Sequence, residues 1–315
     1  MKILITSSIP EEILKDFRNY EIQIHNSQVP MKKEEIIQKI ENAEVLVCPL
    51  SDKIDRDIID AGKNLKLIAN YGAGYDNIDI DYAREKNIIV TNAPAPSSAT
   101  STAELAFCLI LCTSRNIFQA EKNLRKGEFL GWRPNYFLGS QLKNKTLGII
   151  GMGNIGKNVA KRALAFEMNV IYHSKNRKQD IEDLSIKYVE KEELLKQSDI
   201  ISLHTSFVKE LWHMIGEKEF NIMKKEAILI NTARGSLVDE KALIQALKNK
   251  KIKMAGLDVY EYEPQISKEL LELENVILIP HLGNATVKAR VEMGKAVLEN
   301  IKDYSNGIIP RNKVN

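Results

Sequence analysis

One six-residue glycine pattern constrains the fold of this chain more than any other feature. Gly151-Met152-Gly153-Asn154-Ile155-Gly156 directly follows the strand-like run Leu147–Ile150 and opens the helical pattern Lys157–Phe166. In such a strand-turn-helix unit, the first glycine allows the tight turn, the second admits a pyrophosphate and the third lets helix and strand pack closely. The pattern therefore predicts a dinucleotide-binding fold, with the phosphates at the helix N-terminus.

Two alternatives apply to the same residues. Lys157 follows Gly156, which matches the spacing G-x-x-x-x-G-K of a nucleotide-triphosphate loop. That loop requires Ser or Thr at the next position to bind magnesium, and Asn158 stands there, so we exclude it. A glycine-rich turn without a ligand is the remaining alternative.

Strand-like and helix-like segments alternate along both halves of the chain. This alternation predicts parallel strands joined by right-handed crossovers, and hence an α/β fold with two doubly wound parallel-sheet domains. The predicted strands are Ile3–Thr6, Ile22–His25, Val45–Cys48, Leu67–Ala69, Ile88–Thr91, Leu147–Ile150, Val170–Tyr172, Ile200–Leu203, Ile228–Ile230, Gly256–Val259 and Val276–Ile279.

A proline-rich segment divides the two series of strands. Asn92-Ala93-Pro94-Ala95-Pro96-Ser97-Ser98 is typical of a linker between domains. If the second series closes at His281–Ala285, the long amphipathic helix Val287–Tyr304 is available to the first domain. We therefore expect a flavodoxin-like substrate domain from residues 1–98 and 286–315. A Rossmann domain, residues 99–285, would be inserted in it.

The composition argues against several classes of protein. Hydrophobic residues make up 44% and charged residues 28%, as in ordinary globular proteins, and a net charge of +3 is too weak to indicate a nucleic-acid partner. Cys48, Cys108 and Cys112 have no CxxC spacing, so neither a disulfide framework nor a metal site is expected. The N-terminal apolar run is too short for a signal peptide, and Leu105–Cys112 is too short to span a bilayer. We expect a cytoplasmic protein.

Three strand-like runs in the second half of the chain lead to chemically capable side chains. Arg234, Glu263 and His281 each follow one of these runs. Parallel strands present their carboxyl ends along one edge of the sheet, where ligands bind. The sequence therefore predicts an anion-binding guanidinium beside an imidazole that an acid can tune as a proton donor.

The end of the second strand of the dinucleotide domain lacks the acid that favours NAD. That position falls near Ser174, in the segment His173-Ser174-Lys175-Asn176-Arg177. An aspartate there would repel a 2′-phosphate, whereas Ser174, Lys175 and Arg177 would accept it. We therefore expect NADP to be used at least as well as NAD. The alternative is that these basic side chains point to solvent.

Together the motifs resemble those of the D-isomer-specific 2-hydroxyacid dehydrogenase family, which includes glyoxylate/hydroxypyruvate reductases, D-lactate dehydrogenases and phosphoglycerate dehydrogenases. The resemblance implies that Arg234 binds the substrate carboxylate and carbonyl oxygen, that His281 is the acid/base and that Glu263 is paired with it. The matching motifs cover nearly the whole chain: Tyr71–Asp79, Gly151–Gly156, Asn231–Gly235, Gly256–Pro264 and Pro280–Gly283.

The resemblance implies further binding residues. Gly72-Ala73-Gly74 would bind the substrate carboxylate through backbone N–H groups. Thr102 is interpreted equally well as a cofactor contact or as a helix N-cap, and His204 is a weaker candidate for the cofactor cleft. The other residues implied to contact the cofactor are Gly151, Gly153, Asn154, Ile155, Gly156, Thr232, Ala233, Arg234, Asp258, His281, Gly283 and Asn284.

The expected activity is hydride transfer between NAD(P)H and the keto carbon of a small 2-oxoacid, giving the D-2-hydroxyacid. Glyoxylate or hydroxypyruvate is favoured; D-lactate and phosphoglycerate dehydrogenases are alternatives, the latter weaker because the chain ends at Asn315 without a regulatory domain. A dinucleotide-sensing, corepressor-like binding protein is the alternative from another class. The apolar stretch Leu105–Cys112 and the aromatic segment Lys126–Gln141 favour a homodimer.

Overall fold

The computed structural model describes residues 1–27 and 29–315. The chain forms two compact units. Residues 1–98 and 284–315 form the first unit, and residues 99–283 form the second, which therefore interrupts the first in sequence. The predicted return to the first domain is at residue 286.

The first unit is built on a five-stranded, all-parallel sheet in the order β2-β1-β3-β4-β5. Its strands are β1 (Lys2–Ile5), β2 (Glu21–Ile24), β3 (Val45–Cys48), β4 (Leu67–Asn70) and β5 (Ile89–Thr91). The helices between them are α1 (Glu11–Leu14), α2 (Lys33–Ile40), α3 (Arg56–Ala61) and α4 (Ile80–Glu85), with a 3₁₀ turn at Lys15–Phe17.

The second unit contains a seven-stranded, all-parallel sheet in the order β12-β11-β10-β9-β6-β7-β8. Its strands are β6 (Thr146–Ile150), β7 (Asn169–His173), β8 (Lys187–Tyr188), β9 (Ile200–Leu203), β10 (Ile228–Asn231), β11 (Met254–Leu257) and β12 (Val276–Leu278).

Helices accompany this second sheet, and 3₁₀ turns cover Lys209–Leu211 and Gly235–Leu237. The helices are α5 (Pro96–Ser114), which begins at the unit boundary, α6 (Ile117–Arg125), α7 (Asn154–Ala165), α8 (Gln179–Glu182), α9 (Lys191–Gln197), α10 (Glu217–Ile222), α11 (Glu240–Lys248) and α12 (Lys268–Leu271). The last helix of the chain, α13 (Val287–Ser305), belongs to the first unit.

The central strands β3, β4, β9 and β10 are buried on both faces, which explains why they read as continuous apolar runs. In the first unit, Met293 and Val297 of α13 pack with Ile3 and Val45 on one face of the sheet. In the second unit, α5 contributes Ala106 to the cluster on one face, which also contains β6 and β12 side chains. Burial of these faces leaves the ends of the strands as the positions for chemistry.

The prediction of two parallel α/β sheets is confirmed, with local corrections. β11 begins two residues earlier than predicted, and β8 was not predicted because a strand of two residues has no readable pattern. α5 begins at Pro96, inside the predicted linker, because proline is tolerated in the first turn of a helix. Within the described residues, no helix combines the length and apolarity that crossing a membrane requires.

Candidate active site

The carboxyl ends of the second sheet bring several predicted residues to one edge. Parallel registers align Ile150 with His173 and Leu203, and align Asn231 with Leu203 and Leu257. The strand order reverses between β6 and β9, which is where ligands bind in open α/β sheets. The residues that follow these strands at this edge are Gly151, Ser174, His204, Thr232 and Asp258.

His281 and Glu263 form a direct pair within the second unit. The His281 Nδ1 lies 2.8 Å from the Glu263 Oε2, and both side chains are about one-third exposed. The second Glu263 oxygen, Oε1, accepts a hydrogen bond from the Tyr260 N–H at 2.9 Å. Because Glu263 holds Nδ1, the His281 Nε2 is the ring nitrogen that remains for proton transfer.

The electrostatic environment keeps the Glu263 carboxyl ionised. Burial acts to raise its pKa, but the hydrogen bond from His281, the charge of His281, the Tyr260 N–H and the charge of Arg234 together lower it below its usual value. The ionised carboxylate holds Nδ1 of His281 and thereby fixes the orientation of the ring. The pair is therefore suited to acid/base chemistry.

Arg234 lies directly beyond the end of β10. Its Nη1 donates to the Ala233 carbonyl at 2.8 Å, and the Asn231 Nδ2 donates to the Arg234 carbonyl at 2.8 Å. The Asn231 Oδ1 also accepts the Ala233 N–H, so one asparagine holds both ends of this turn. The charge of the guanidinium is one of the causes that lower the Glu263 pKa.

A tight backbone contact joins the segment after Arg234 to the loop before Glu263. A Cβ on Gly235 would lie 1.9 Å from the Tyr260 carbonyl carbon and 2.0 Å from its oxygen. Only glycine permits this approach. The two loops that carry Arg234 and Glu263 are consequently in direct contact.

Asp258 organises the turn that carries His281. Its buried carboxylate accepts the N–H groups of Leu282 at 2.5 Å and Gly283 at 2.8 Å, and its carbonyl accepts the His281 N–H at 2.9 Å. These bonds hold His281 in a left-handed backbone conformation with φ of 52°. Burial raises the pKa of Asp258 despite its two N–H donors.

The glycine turn after β6 fits a dinucleotide. Gly151 has φ of +97°, and a Cβ on Gly156 would lie 2.2 Å from the Gly151 carbonyl oxygen. A Cβ on Gly153, by contrast, would meet no described atom within 4 Å, so open space lies beside the N-terminus of α7. Asn154, Ile155 and Gly156 are the first residues of that helix, and no side chain caps their N–H groups because the N-cap residue is Gly153. Uncapped N–H groups at a helix N-terminus favour a phosphate.

Two buried polar atoms near this edge have no hydrogen-bond partner within the described part of the chain. They are the His204 Nδ1 and the Thr232 Oγ1. His204 pairs its Nε2 with the Ser202 Oγ at 2.8 Å, and burial lowers its pKa to about 3. A polar cofactor bound at the carboxyl ends of these strands would supply the hydrogen bonds that the two atoms lack.

The segment predicted to select the cofactor follows β7. The Ser174 Oγ donates to the Asn176 carbonyl at 2.7 Å, and Lys175 and Arg177 are exposed. The Arg177 guanidinium lies 5.4 Å from the centre of the Tyr188 ring. The structure thus places Ser174 immediately beyond the strand, as expected for the ribose position of this fold.

Thr102 and Gly283 lie side by side in the second unit. A Cβ on Gly283 would meet the Thr102 hydroxyl at 3.3 Å and the Asp258 Oδ2 at 3.2 Å. Thr102 lies inside α5, which excludes the alternative that it is an N-cap. Asn284 begins the returning segment of the first unit, where its Nδ2 lies 3.7 Å from the Met293 sulfur.

The Gly72–Gly74 turn of the first unit is held by its carbonyl groups. The Gly72 carbonyl accepts the Ala93 N–H at 2.8 Å, the Ala73 carbonyl accepts the Asn92 Nδ2 at 2.7 Å, and the Gly74 carbonyl accepts the Asn70 Nδ2 at 2.6 Å. In a trans peptide the N–H points opposite to the carbonyl, so the following N–H groups face away from these bonds. This arrangement suits an anion.

Several supporting residues escaped the sequence-based prediction. Asn70 and Asn92 hold the Gly72–Gly74 turn. His213 pairs with Glu261, two residues before Glu263 in the same loop. Their partners are 4 to 48 residues away in sequence, so spacing alone gave no signal. The position of Glu261 within the motif Gly256–Pro264 was the one available hint.

Known proteins are similar to this chain in sequence and in structure. The family model for the NAD binding domain of D-isomer specific 2-hydroxyacid dehydrogenase matches residues 107–283. The glyoxylate reductase of Thermococcus litoralis is 46% identical over 320 residues, covering 100% of this chain and 96% of that protein.

Two solved structures are similar over the whole chain. The TT0316 protein from Thermus thermophilus superposes with a TM-score of 0.92 at 37% identity, covering 100% of both chains. A glyoxylate reductase from Paecilomyes thermophila superposes with a TM-score of 0.86 at 34% identity, covering 100% of this chain and 98% of that one. This chain is therefore a member of the D-isomer-specific 2-hydroxyacid dehydrogenase family, an oxidoreductase with an NAD-binding domain.

Proposed function

We propose that this dehydrogenase reduces a small 2-oxoacid, with glyoxylate or hydroxypyruvate favoured, to the D-2-hydroxyacid. The observation that carries the proposal is the His281–Glu263 pair at 2.8 Å, with Arg234 among the groups that lower the Glu263 pKa. The 46% identity to a glyoxylate reductase supports the choice of substrate. D-Lactate and phosphoglycerate dehydrogenation are the alternatives within the family.

In the proposed mechanism, Arg234, Glu263 and His281 are the catalytic residues. A nicotinamide cofactor supplies the hydride. Arg234 binds the carboxylate and polarises the carbonyl through its planar guanidinium. Glu263 accepts the Nδ1–H of His281 and orients the ring, so that Nε2 can donate a proton to the new alkoxide. In oxidation, Nε2 takes the hydroxyl proton.

The remaining proposed binding residues follow from the same assignment. The N–H groups of the Gly72–Gly74 turn bind the substrate carboxylate, because the carbonyls of that turn are already held. The residues that would hold the cofactor are Thr102, Gly151, Gly153, Asn154, Ile155, Gly156, Ser174, Lys175, Arg177, Thr232, Ala233, Arg234, Asp258, His281, Gly283 and Asn284.

We propose that the protein uses NADPH at least as well as NADH. No acidic residue is present in His173–Arg177, so nothing there repels a 2′-phosphate. We expect Ser174→Asp to lower kcat/KM for NADPH by about tenfold and to spare NADH, since one charge-assisted contact is exchanged for repulsion. Arg177→Asp is expected to act in the same direction, with Lys161→Asp on α7 as the control. Equal effects on both cofactors would refute the preference.

We also propose a homodimer, in the cytoplasm. The segment from Glu128 to Gln141, all of which the structure describes, has no helix or strand and exposes Leu130 and Trp132 by 82% each. Exposed apolar side chains in such number are typical of an interface. A Leu130→Asp/Trp132→Asp variant should become monomeric by light scattering, whereas Ile309→Asp should not. A wild-type monomer would contradict the proposal.

The decisive experiment is a turnover assay. NADPH and NADH absorbance is followed with glyoxylate, hydroxypyruvate, pyruvate and a bulky 2-oxoacid, for the wild type and for His281→Ala. We expect turnover with the small oxoacids and a loss of roughly 10²–10⁴-fold in the variant. Tight NADPH binding without consumption of any oxoacid would instead indicate a dinucleotide-sensing binding protein.

A further inference from the structure

A second histidine–carboxylate pair lies next to the Glu263 loop. The His213 Nε2 is 2.8 Å from the Glu261 Oε1, and its Nδ1 is 3.7 Å from the Asp239 Oδ2. The Glu261 side chain is only 5% exposed. A hydrogen bond to a carboxylate so far from water is strong, and its loss leaves the carboxylate poorly solvated.

Glu261 is fixed on its other side as well. Its Oε2 accepts the Glu240 N–H at 3.1 Å, and the Glu240 carboxylate accepts the Glu261 N–H at 3.3 Å. Glu240 begins α11, so the loop that precedes Glu263 is attached to a rigid element. His213 completes this attachment through the remaining Glu261 oxygen.

The backbone of His213 contacts the segment that follows Arg234. The His213 N–H donates to the Ser236 carbonyl at 2.9 Å, and the Ile215 N–H donates to the Leu237 carbonyl at 3.1 Å. Ser236 and Leu237 belong to the 3₁₀ turn that begins at Gly235. His213 is therefore bonded to both loops, by its main chain to the Arg234 segment and by its side chain to the Glu263 segment.

The local structure holds the His213 ring in one orientation. The ring stacks on Trp212 with centroids 3.5 Å apart and planes 17° apart, and His213 has a left-handed backbone with φ of 55°. A non-glycine residue in this region is uncommon and has to be stabilised by its surroundings. The Gly235–Tyr260 contact joins the same two loops, so His213 is a second clamp between them.

We propose that His213 is a positioning residue, which through Glu261 keeps the Glu263–His281 pair in register with Arg234. This inference rests on the proposed function, because it assigns His213 a role in the chemistry of those three residues. His213 itself exchanges no proton with substrate. It limits the displacement of Glu263 relative to Arg234, and displacements of about 1 Å in such sites cost up to about 10²-fold in rate.

A metal ion is the competing interpretation of the same cluster, because ligand atoms of His213, Asp239 and Glu261 lie within 4.8 Å of one another. Glu261, however, faces Nε2 and Asp239 faces Nδ1, so the two carboxylates approach different nitrogens of one ring. A single ion can bind only one of those nitrogens. The Asp239 Oδ1 also accepts the Ala242 N–H as the cap of α11.

The test compares His213→Gln with His213→Asn. A glutamine amide nitrogen reaches the position of Nε2 and can donate to Glu261, whereas that of asparagine reaches only the position of Nδ1. We expect His213→Asn and His213→Ala to lower kcat about tenfold and to leave the dissociation constant for NADPH unchanged. His213→Gln should recover most of kcat. His25→Ala, in the first unit, is the control.

A measurement without substrate separates this inference from the proposed function. Deuterium exchange of the peptide covering residues 258–264 should be faster in His213→Asn than in the wild type, and near wild-type in His213→Gln. Unchanged exchange and unchanged kcat in His213→Asn would overturn the inference, even if His281→Ala is inactive. Absence of oxoacid turnover in the wild type would refute the proposed function. The exchange data would still show whether His213 holds the loop that carries Glu261 and Glu263.

Two further outcomes would also overturn the inference. If all three variants lose kcat, cofactor affinity and melting temperature in parallel, His213 is needed only for folding. If EDTA inactivates the wild type, Zn²⁺ restores it and His213→Ala shows no such response, the cluster is a metal site instead.

Discussion

The two glycine turns, Gly72–Gly74 in the first unit and Gly151–Gly156 in the second, use the same residue type for different physical reasons. In the second turn glycine is sterically obligatory, because a Cβ on Gly151 would lie 2.5 Å from the backbone of His204. In the first turn the three atoms nearest to a Cβ on Gly72 all belong to the Leu50 side chain, the first at 2.6 Å. A side chain can shift more easily than backbone.

What organises the first turn is a set of amide side chains. Asn70 and Asn92 hold two of its carbonyls, and Asn77 connects Asn70 to the carbonyls of Pro49 and Asp52. The second turn instead relies on close packing of backbone and on the N-terminus of α7. One turn is therefore held by side-chain hydrogen bonds, and the other by close backbone packing.

A buried titratable residue is connected to each turn: Asp52 through its hydrogen bond from Asn77, and His204 through its backbone contact with Gly151. Asp52 is 5% exposed, and burial raises its pKa although Thr6 donates to it at 2.5 Å. His204 is 8% exposed, and burial lowers its pKa to about 3. Both environments favour the neutral form of the side chain. Ionisation of Asp52 should therefore lower the free energy of unfolding as the pH rises, and protonation of His204 should lower it as the pH falls.

The largest expected effect concerns Gly151. Gly151→Ala forces a Cβ onto a residue with φ of +97° and against the His204 backbone, so we expect a loss of about 3 kcal/mol in the free energy of unfolding. Gly72→Ala should cost clearly less. Thermal unfolding of both variants measures the difference, and equal losses would remove the contrast between the turns.

Gly153 separates the binding role of the second turn from its packing role. Because a Cβ there meets no described atom, Gly153→Ala should fold normally. The methyl group would occupy the space that we propose for the pyrophosphate, so we expect the dissociation constant for NADPH to rise about tenfold or more. Calorimetric titration is the measurement. A variant that binds NADPH like the wild type would show that phosphates do not occupy this space.

His204 should make stability fall as the solution becomes acidic. Its folded pKa of about 3 lies below its unfolded value, so below about pH 6.5 the unfolded state takes up a proton that the folded state does not. The free energy of unfolding then falls by at most about 1.4 kcal/mol per pH unit. Urea unfolding from about pH 7 to about pH 4.5 should show a smaller slope for His204→Gln; identical slopes would contradict this account.

Asn92 tests the hydrogen-bonded turn. Asn92→Ala removes the donor to the Ala73 carbonyl, so we expect KM for the oxoacid to rise about fivefold while the NADPH dissociation constant stays constant. Asn64→Ala, an exposed asparagine of the same unit that also donates to a carbonyl, is the control. A parallel change in both constants would show that the substitution acts on folding rather than on the turn.

The smallest effect concerns Asp52. Its raised pKa means that the charged form is disfavoured in the folded state, so the wild type loses stability as the pH rises through the folded pKa. Asp52→Asn should therefore melt about 2 °C higher than the wild type at neutral pH, and the gap should close in acid. A gap independent of pH would show that the carboxyl group is not the cause.

Much of this architecture was readable from local pattern. The buried runs Val45–Cys48 and Ile200–Leu203 were predicted to the residue, because both faces of a parallel strand are apolar and helices separate one strand from the next. The glycine turn was also identifiable from the sequence, as were the candidate residues Arg234 after β10 and His281 after β12. Functional residues at strand ends form short, contiguous motifs.

Long-range geometry was not readable in the same way. β8 has two residues and exists because Ile171 and Tyr172 offer a free edge to pair with. His213 lies 48 residues from Glu261, and their spacing in the sequence does not predict their hydrogen bond. Likewise, the support of the Ala73 carbonyl by Asn92 appears only when β4 and β5 lie side by side.

The amino-acid sequence by itself determined the class of fold and the glycine turn, and it singled out Arg234, Glu263 and His281 as candidates, because local periodicity and contiguous motifs encode these features. The tertiary structure alone decided that Nδ1 of His281 faces Glu263, that Asp258 holds the His281 turn and that His213 joins two loops. Those facts depend on hydrogen-bond directions between distant segments, which exist only after the chain has packed.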